Sequence, residues 1–428
     1  MRYHPISAST YVNHRKLLAA ELPSKAMAVI HSNDIMPTNA DGSMPFRQNN
    51  DLLYLCGIDQ EETVLLLFPD ATNPAHWEIL FVKETSAEIA IWEGEKFSKD
   101  GAEKHSGVAT VMWVDQYKSM IQMLIPESLH VFLTSNEHLR QHNEAETREM
   151  RMGAELRQKY PLYHYQRLAP IMHRLRSIKS REEIDQVQHA CKITESGFRR
   201  VLKAIKPGIM EYEIEAEYLH DFVRKGSRGF AYTPIIASGF NACVLHYIEN
   251  NKACEAGDVI LMDVGAEYGN YASDMTRCVP VSGKFTSRQK DVYNAVLRVM
   301  RGAQKLLKPG VMLSKYHSQV GVLMQEELVK LGLLTSSEIE NQDSAKPAYK
   351  KYFMHGTSHF LGLDVHDVGL WHEPIQAGMI FTVEPGIYIR EEKLGIRLEN
   401  DILITENGFI DLMASIPIEA DDIEALMA

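Results

Sequence analysis

The sequence predicts an α/β (α+β) fold in which a small N-terminal α/β domain, residues 1–170, precedes a larger domain with pseudo-two-fold symmetry, residues 171–428. Three observations lead to this prediction. Short apolar runs alternate with charged segments in the first third, a helix-capping pattern begins the remainder, and two patterns then recur in the same order further along the chain. At roughly 150 residues per domain, a chain of 428 residues has room for more than one domain.

The first domain is expected to hold buried strands between two charged helices. Its apolar runs are short and β-prone, as buried strands are. These runs are Ala26–Ile30, Thr63–Phe68, Trp77–Val82 and His130–Leu133. The charged segments Tyr11–Glu21 and His138–Tyr160 are expected to be helices, and the stretch Glu144–Lys159 is interpreted as a solvated helix that leads out of the domain.

Two long helices with matching ends are predicted in the second domain. Ser180-Arg-Glu-Glu183 is a capping-box pattern, apolar residues follow it at helical spacing, and Lys206-Pro207-Gly208 should stop the helix. Thr286-Ser-Arg-Gln289 repeats the cap, and Lys308-Pro309-Gly310 repeats the stop. This repetition indicates an internal duplication.

A second repeated pattern ends in an acid. Gly257–Gly265 (GDVILMDVG) and Gly378–Gly386 (GMIFTVEPG) share a glycine turn, a mostly apolar strand, a carboxylate, one further residue and a glycine. Asp263 and Glu384 occupy matching positions in the two copies. We therefore expect each half of the domain to contribute one of these acids to a common cleft.

Asp274 is predicted to lie beside Asp263. If Tyr268-Gly269 forms the loop of a two-residue hairpin, the two aspartates are direct cross-strand neighbours on one face of the sheet. Two carboxylates in that arrangement need a shared proton or a cation. The alternative is a shifted register that leaves one aspartate in a turn.

Further candidate ligands lie in the last quarter of the chain. His355, His359 and His366 fall within a short glycine-containing segment, although a single histidine is more often structural. Glu384 ends an apolar strand just before a proline that keeps it extended. Glu399 alternates with Arg397 onto one strand face, where a surface ion pair is the alternative interpretation.

The combined donors are two aspartates, two glutamates and one histidine. This set is rich in hard oxygen and suits Mn²⁺, or Zn²⁺, Co²⁺ or Fe²⁺ depending on supply. Four carboxylates are more than one zinc ion needs, so two divalent metal ions about 3.5–4 Å apart are predicted. The sequence contains no HExxH, no dinucleotide-binding GxGxxG and no Walker loop.

Composition and charge exclude several other classes. Lys and Arg total 45 against 57 Asp and Glu, a net charge of −12, which argues against a nucleic-acid partner. The N-terminus has no apolar signal region, and the run Val64–Phe68 is too short to span a membrane. The five cysteines are scattered without a CxxC pair, which favours a reduced, cytoplasmic location and excludes a thiolate zinc site.

Taken together, these segments resemble the metal-dependent pita-bread peptidases, and within them the aminopeptidase P family. The resemblance covers nearly the whole chain, and Phe46–Gly57 is similar to the opening motif of the accessory domain of that family. The other segments that carry it, in family order, are Asn241–Asn250 with His246, Asp263, Asp274, the HGxSHxxGLDVHD segment that begins at His355, Val383–Gly386 and Gly395–Asp401.

The resemblance implies a role for each predicted ligand. Asp263, Asp274 and Glu399 would hold one ion, with Asp274 and Glu399 bridging to the other. His359 and Glu384 would complete the second ion. A hydroxide between the ions would be the nucleophile, and Glu384 would also shuttle a proton to the leaving proline nitrogen.

Other residues gain catalytic or binding roles from the same resemblance, with purely structural roles as the alternative. His366 would stabilise the oxyanion, and His246 and His355 would shape the prolyl pocket. Arg397 would orient a glutamate or substrate groups. Trp92 matches a position that can reach the cleft of a neighbouring subunit in relatives, and a packed aromatic is the alternative interpretation.

The implied function is hydrolysis of the N-terminal Xaa-Pro bond in peptides with proline at the second position. The enzyme would be an Xaa-Pro aminopeptidase that forms a homodimer or homotetramer, without nucleic-acid or membrane partners. Prolidase, which cleaves only Xaa-Pro dipeptides, shares the ligands and is the main alternative. A non-catalytic peptide-binding module and a creatinase-like amidinohydrolase are disfavoured, because all five ligands are present.

Overall fold

The computed structural model describes residues 2–140, 144–343 and 345–428. The chain forms two compact units. One unit is Pro5–Arg176, and the other joins Met1–His4 to Ser177–Ala428. The first few residues of the chain therefore belong to the same unit as the larger, second part of the sequence.

The first unit alternates helices and strands. In chain order they are α1 (Ala8–Glu21), β1 (Ala26–His31), α2 (Asn50–Cys56), β2 (Val64–Leu67), β3 (Glu78–Val82), α3 (Ala87–Glu93), α4 (Lys99–Ser106), β4 (Thr110–Trp113), α5 (Tyr117–Leu124), β5 (His130–Leu133), α6 (Arg148–Lys159), β6 (His164–Arg167) and α7 (Ala169–Ser177), which ends at the boundary of the unit.

The strands of this unit form one mixed sheet in the order β4-β3-β2-β1-β5-β6. Strand β1 is central and buried along its length, and Met27 and Val29 face a core that also contains Leu66, Phe81 and Leu124. The four apolar runs of the sequence correspond to β1, β2, β3 and β5. Strands β4 and β6 lie at the edges of the sheet and were not predicted. Strand β6 (HYQR) lacks an apolar run, whereas β4 (TVMW) is a short apolar run of partly buried residues that was overlooked.

Two interpretations made from the sequence of this unit are wrong. Strands β5 and β6 pair in parallel, so α6 is the crossover helix of a β-α-β unit and does not lead out of the domain. Part of the predicted helix, residues 141–143, lies outside the described residues. Trp92 on α3 is 86% exposed in this chain, so it is not a packed aromatic.

The second unit contains the longest helices of the described chain. In order, its elements are α8 (Arg181–Val201), α9 (Glu211–Arg224), β7 (Ile235–Ser238), β8 (Val259–Val264), β9 (Glu267–Tyr268), β10 (Tyr271–Ala272), β11 (Met275–Pro280), α10 (Ser287–Leu306), α11 (Leu313–Lys330), α12 (Ser336–Glu340), β12 (Ile380–Val383), β13 (Gly386–Ile389), β14 (Leu394–Arg397), β15 (Asn400–Thr405), β16 (Gly408–Asp411) and α13 (Ala420–Met427). Of the helices described here and above, none is long and apolar enough to cross a membrane.

The predicted duplication is confirmed by the order of these elements. Helix α8 is followed by α9 as α10 is followed by α11, and Ser180 and Thr286 both form the capping boxes that the sequence predicts. In the first half β8 pairs with β11 and a small hairpin, β9–β10, joins them; in the second half β12 pairs with β15 and the hairpin is β13–β14. The unit is therefore a pseudo-two-fold α/β fold.

The register of the first hairpin differs from the prediction. Its loop is Gly269-Asn270, and Asp263 lies opposite Thr276, not opposite Asp274. Both loop residues have positive φ, 58° and 70°, the backbone that a tight hairpin turn of the mirror-image type requires. The register differs by two residues, so both aspartates still lie on the same face of the sheet.

The first residues of the chain contact this hairpin. The backbone N–H of His4 donates to the Tyr268 hydroxyl (3.1 Å), and the ring edge of Tyr3 meets the Tyr268 ring at 6.1 Å between centroids. Gln186 of α8 donates to the His4 carbonyl (2.9 Å). These contacts fasten the N-terminal segment to the larger unit.

Candidate metal centre

The predicted ligands come from equivalent ends of the two β-systems. Asp263 is in β8, and Asp274 directly precedes its partner β11. Glu384 directly follows β12, and Glu399 separates β14 from β15. His359 comes from the segment before β12, where the next residue pairs with that strand as an isolated bridge. The duplication thus brings acids from both halves to one region.

The densest part of the site is a buried cluster of Asp274, His359 and Glu399. One potential ligand atom from each lies within 4.8 Å of the other two, and each residue is at least 95% buried. His359 Nε2 is 3.5 Å from Asp274 Oδ2 and 3.8 Å from Glu384 Oε1. These four side chains converge on one point.

Asp263 joins the cluster through a tyrosine and an arginine. The Tyr232 hydroxyl lies 2.7 Å from Asp263 Oδ1 and 2.5 Å from Asp274 Oδ1. Arg397 Nη2 donates to Asp263 Oδ2 at 2.6 Å. Arg397 is 4% exposed, so the surface ion pair considered from the sequence is wrong, and its direct carboxylate partner is Asp263. Both Asp263 oxygens are therefore engaged.

Burial makes this concentration of negative charge unfavourable. Burial first, and then the charge of Asp263, raises the pKa of Asp274 well above its usual range. Burial, followed by the charges of Asp274 and Glu384, does the same to the pKa of Glu399. Burial also raises the pKa of Glu384 to about 7. A divalent cation would offset these charges, and carboxylate oxygens with one imidazole nitrogen are donors that fit Mn²⁺ or Zn²⁺.

Surrounding groups orient the potential ligands. His359 Nδ1 donates to the Phe360 carbonyl (2.9 Å), because a carbonyl can only accept, and this leaves Nε2 with its lone pair toward the acids. The Thr276 hydroxyl donates to Glu399 Oε2 (2.7 Å). Asp401 accepts a hydrogen bond from the Asp274 backbone N–H (3.0 Å). Such outer contacts are typical of metal sites.

A hydrogen-bonded chain connects the arginine to His355. Arg397 Nη1 donates to the Tyr388 hydroxyl (2.9 Å), which donates to His355 Nε2 (2.8 Å), while His355 Nδ1 donates to the Gly356 carbonyl (2.7 Å). Burial, then the charge of Arg397, lowers the pKa of His355 to about 3. His355 is therefore neutral near pH 7, with Nδ1 3.8 Å from Glu384 Oε2.

The two remaining histidines lie at the exposed rim of the site. The His366 ring meets the His359 ring edge-on, with 4.4 Å between centroids. His246 is exposed and close enough to His355 for its charge to lower the pKa of His355. The buried ligands are thus covered by a rim that carries polar side chains.

Sequence reasoning missed several residues of the site. Tyr232, Thr276 and Tyr388 make direct hydrogen bonds to predicted site residues, but each is a single residue without a spacing pattern. Asp401 had a usable signal, because it ends the same Gly395–Asp401 segment that supplies Glu399.

Comparison with known proteins agrees with this site. The chain matches the model of Metallopeptidase family M24 over residues 185–406 and that of the Aminopeptidase P N-terminal domain over residues 11–132. It is 34% identical to the Xaa-Pro aminopeptidase of Escherichia coli (strain K12) over 437 residues, which cover 99% of this chain and 98% of that protein. It is 33% identical to the Xaa-Pro dipeptidase of Homo sapiens over 439 residues, 91% of this chain and 85% of that protein.

The fold is similar to solved structures over its whole length. Zinc-substituted E. coli aminopeptidase P in complex with product superposes with a TM-score of 0.88 at 32% identity, covering 99% of both chains. The two family models match in order along the chain, and the buried donors have the chemistry of a metallopeptidase centre. The chain therefore belongs to metallopeptidase family M24, and within that family it is a hydrolase of the aminopeptidase P type.

Proposed function

We propose that this enzyme hydrolyses the bond between the N-terminal residue of a peptide and a proline at the second position. The observation that carries the proposal is the buried convergence of Asp274, His359 and Glu399, with Glu384 and Asp263 at its edge, in a chain of the aminopeptidase P type. The predicted accessory domain, residues 1–170, would correspond to the unit Pro5–Arg176, and the predicted catalytic domain, residues 171–428, to the unit that joins Met1–His4 to Ser177–Ala428.

Two divalent ions would be held by the five predicted ligands. Asp263, Asp274 and Glu399 would hold one ion, and His359 and Glu384 the other, with Asp274 and Glu399 shared. When bound, the ions would supply a hydroxide nucleophile at neutral pH, because such ions lower the pKa of water from 15.7 toward about 7. Mn²⁺ is our first choice among ions with similar donor preferences. Elemental analysis of purified protein, with two equivalents of metal expected, tests the number and the identity.

The side chains would divide the remaining chemistry. Glu384 would also accept a proton and deliver it to the departing proline nitrogen. Neutral His355 would line the prolyl pocket with His246, without repelling the free ammonium of the substrate. His366, beside His359, would donate to the developing oxyanion. Arg397 would fix Asp263.

A tripeptide assay distinguishes this proposal from the main alternative. Prolidase activity remains the second candidate, because the identity to the human Xaa-Pro dipeptidase is nearly as high as that to the E. coli aminopeptidase. We expect Mn²⁺-supplied enzyme to release the first residue of an Xaa-Pro-Xaa tripeptide. Turnover of Xaa-Pro dipeptides alone would support prolidase, and no turnover of either substrate would contradict both functions.

We also propose a homodimer or homotetramer in a reducing, cytoplasmic compartment. Ile91 and Trp92 on α3 are 78% and 86% exposed, as expected for side chains that reach a neighbouring subunit. All five cysteines fall within the described ranges, and none forms a disulfide. Sedimentation equilibrium tests the assembly. If the Trp92→Ala variant kept the assembly mass and the KM of the wild type, Trp92 would have no role in the contact between subunits.

A further inference from the structure

Glu211 is a fully buried acid in the first turn of α9, and five neutral donors converge on its carboxylate. Ser238 donates to Oε1 from its backbone N–H (2.8 Å) and its hydroxyl (2.7 Å), and the Asn241 amide lies 3.4 Å from the same oxygen. The Tyr247 hydroxyl (2.7 Å) and the Lys252 backbone N–H (3.0 Å) donate to Oε2. Hydrogen bonding on this scale compensates the burial of the acid.

The five donors belong to a single loop, residues 238–252. Ser238 is the last residue of β7, and Lys252 lies at the far end of the loop. The backbone N–H of Glu211 also donates to the Lys252 carbonyl (2.9 Å), so the same residue holds both ends and the middle of the loop. His246, next to Tyr247, is exposed on this loop and acts electrostatically on His355.

A second acid, one turn along α9, supports the same loop. The Asn250 side-chain amide N–H donates to Glu215 (2.9 Å) and to the Pro234 carbonyl, and the side-chain Oδ1 of Asn250 accepts from the Ile236 backbone N–H. Asn250 has φ +46°, a left-handed conformation that these hydrogen bonds hold in place. The return of the loop thus has a second contact with α9, in addition to the bonds that Glu211 makes with Lys252.

The other side of the loop contacts the strand that carries Arg397. A Cβ at Gly395 would lie 2.1 Å from the Ala242 carbonyl oxygen, so the loop and β14 are in direct backbone contact. A change in the path of the loop would therefore move His246 relative to both His355 and Arg397. Glu211 itself lies on α9, behind the loop.

We propose that Glu211 is a positioning residue for the peptidase reaction: it fixes loop 238–252 and thereby holds His246 where the proline of the substrate binds. The inference rests on the proposed function. Glu211 acts through His246 and takes no part in metal binding or proton transfer. Its loss should therefore weaken substrate binding more than it slows the chemical step.

The Glu211→Gln variant tests this inference, because an amide of the same shape turns one acceptor oxygen into a donor that faces other donors. We expect the KM for an Xaa-Pro-Xaa tripeptide to rise about tenfold with kcat changed less than about twofold, the scale of one unsatisfied buried hydrogen bond. Hydrogen exchange of residues 238–252 in the substrate-free enzyme should accelerate about tenfold. Metal content should stay the same.

Two further variants make the test independent of folding yield. Tyr247→Phe removes one donor to Glu211 and should change KM and exchange in the same direction by a smaller factor, even where Glu211→Gln fails to fold. Glu217→Gln, on the same helix in a partly exposed pair with Arg200, is the matched control and should behave as wild type.

The readouts separate the inference from the proposed function. Absence of tripeptide turnover by the wild-type enzyme would contradict the proposed function, whereas exchange is measured without substrate and reports on the loop alone. Unchanged exchange in 238–252, or an active variant with unchanged KM, would overturn the positioning role. A parallel loss of metal and kcat would also overturn it, because the effect would then lie at the ligands.

Discussion

The hydroxyl of Tyr232 lies within hydrogen-bond distance of two aspartates, yet it carries a single proton. At any moment it can donate to Asp263 or to Asp274 but not to both. Arg397 supplies a second partner to Asp263, whereas the carboxylate of Asp274 faces His359 and Glu399. Among the described acids of the site, Asp274 is thus strongly dependent on a cation for charge compensation.

Replacement of Asp274 by alanine should abolish activity and remove at least one equivalent of metal. Loss of an outer hydrogen-bond partner costs metal sites about 10–100-fold in activity or affinity, and loss of a bridging ligand should exceed that range. Tripeptide turnover and elemental analysis of the purified variant measure the two effects.

The matched control is Asp185→Ala on α8, an exposed aspartate paired with Arg181. It should retain both turnover and metal. If Asp274→Ala kept wild-type turnover after its metal had been stripped and resupplied, Asp274 would not be a bridging ligand.

The sequence could predict which residues carry chemistry, but only part of how they meet. Asp263 and Glu384 could be paired because they occupy matching places in a repeated pattern. Tyr232 and Thr276 could not be found, since a hydroxyl that bonds to an acid is selected by three-dimensional proximity and leaves no spacing signal. The assigned roles of the predicted residues remain proposals.

At the scale of the element, a buried ion pair fastens the segment that carries His366. Lys179, just before α8, donates to Asp367 at 3.1 Å, and both side chains are at least 98% buried. The Lys179 backbone also donates to the Gly378 carbonyl at the start of the second repeated pattern. One lysine thus links the beginning of the unit to the loop beside the site.

Replacement of Lys179 by methionine should lower the free energy of unfolding by about 3–5 kcal/mol, because it removes the buried positive charge that contacts the Asp367 carboxylate at 3.1 Å. The Lys179→Met/Asp367→Asn double variant should recover part of this loss, and Lys179→Arg should be milder than Lys179→Met. Urea denaturation followed by circular dichroism measures the differences. Equal losses in the single and double variants would show that the ion pair is not the cause.

Helix α6 carries a buried acid, Glu149, whose contribution to the free energy of unfolding depends on pH. Burial, then the charge of Asp51, raises the pKa of Glu149 from 4.5 to about 7, although the Asn49 amide donates to it. Between these values the unfolded chain ionises while the folded protein keeps the proton. The free energy of unfolding should therefore fall by roughly 3 kcal/mol at most as the pH rises from 4.5 to about 7. Above pH 7 this contribution should stay level.

Glu149→Gln should flatten this dependence and make the variant more stable than wild type above pH 7. Denaturation followed by tryptophan fluorescence suits the measurement, because three of the four tryptophans lie in the same unit as Glu149. These are Trp77, Trp92 and Trp113, whereas Trp371 lies in the other unit. Parallel wild-type and variant curves from pH 4.5 to pH 8 would be inconsistent with the raised pKa.

Elements were predictable where a buried face imposed a pattern. The capped helices α8 and α10 and the apolar strands β1, β2, β3 and β5 follow from periodicity. Strands β4 and β6 lie at sheet edges with one side unpaired. The polar sequence of β6 has no apolar run that could reveal a strand, whereas the apolar residues of β4 could have indicated one. The hairpin register depends on which two residues adopt positive φ, which alternation of apolar residues does not reveal.

At the scale of the molecule, metal should stabilise the catalytic unit. Ligands that bind only the folded state add about 2.7 kcal/mol at a concentration of a hundred times Kd, and here they also relieve repulsion among Asp274, Glu399 and Glu384. Chelator-treated protein should therefore unfold at a lower temperature than Mn²⁺-supplied protein in scanning calorimetry. Addition of Mn²⁺ should raise the unfolding temperature of Asp274→Ala much less than that of the wild type. An equal rise in the two proteins would indicate that the metal binds elsewhere.

Attachment of Tyr3 and His4 to the Tyr268 hairpin has a practical consequence for anyone who purifies or immobilises the enzyme. That hairpin joins the strand of Asp263 to the segment of Asp274. A surface linker attached through Tyr3 or His4 would therefore disturb this connection. Attachment through α13, which lies outside these contacts, is the better choice for kinetic work.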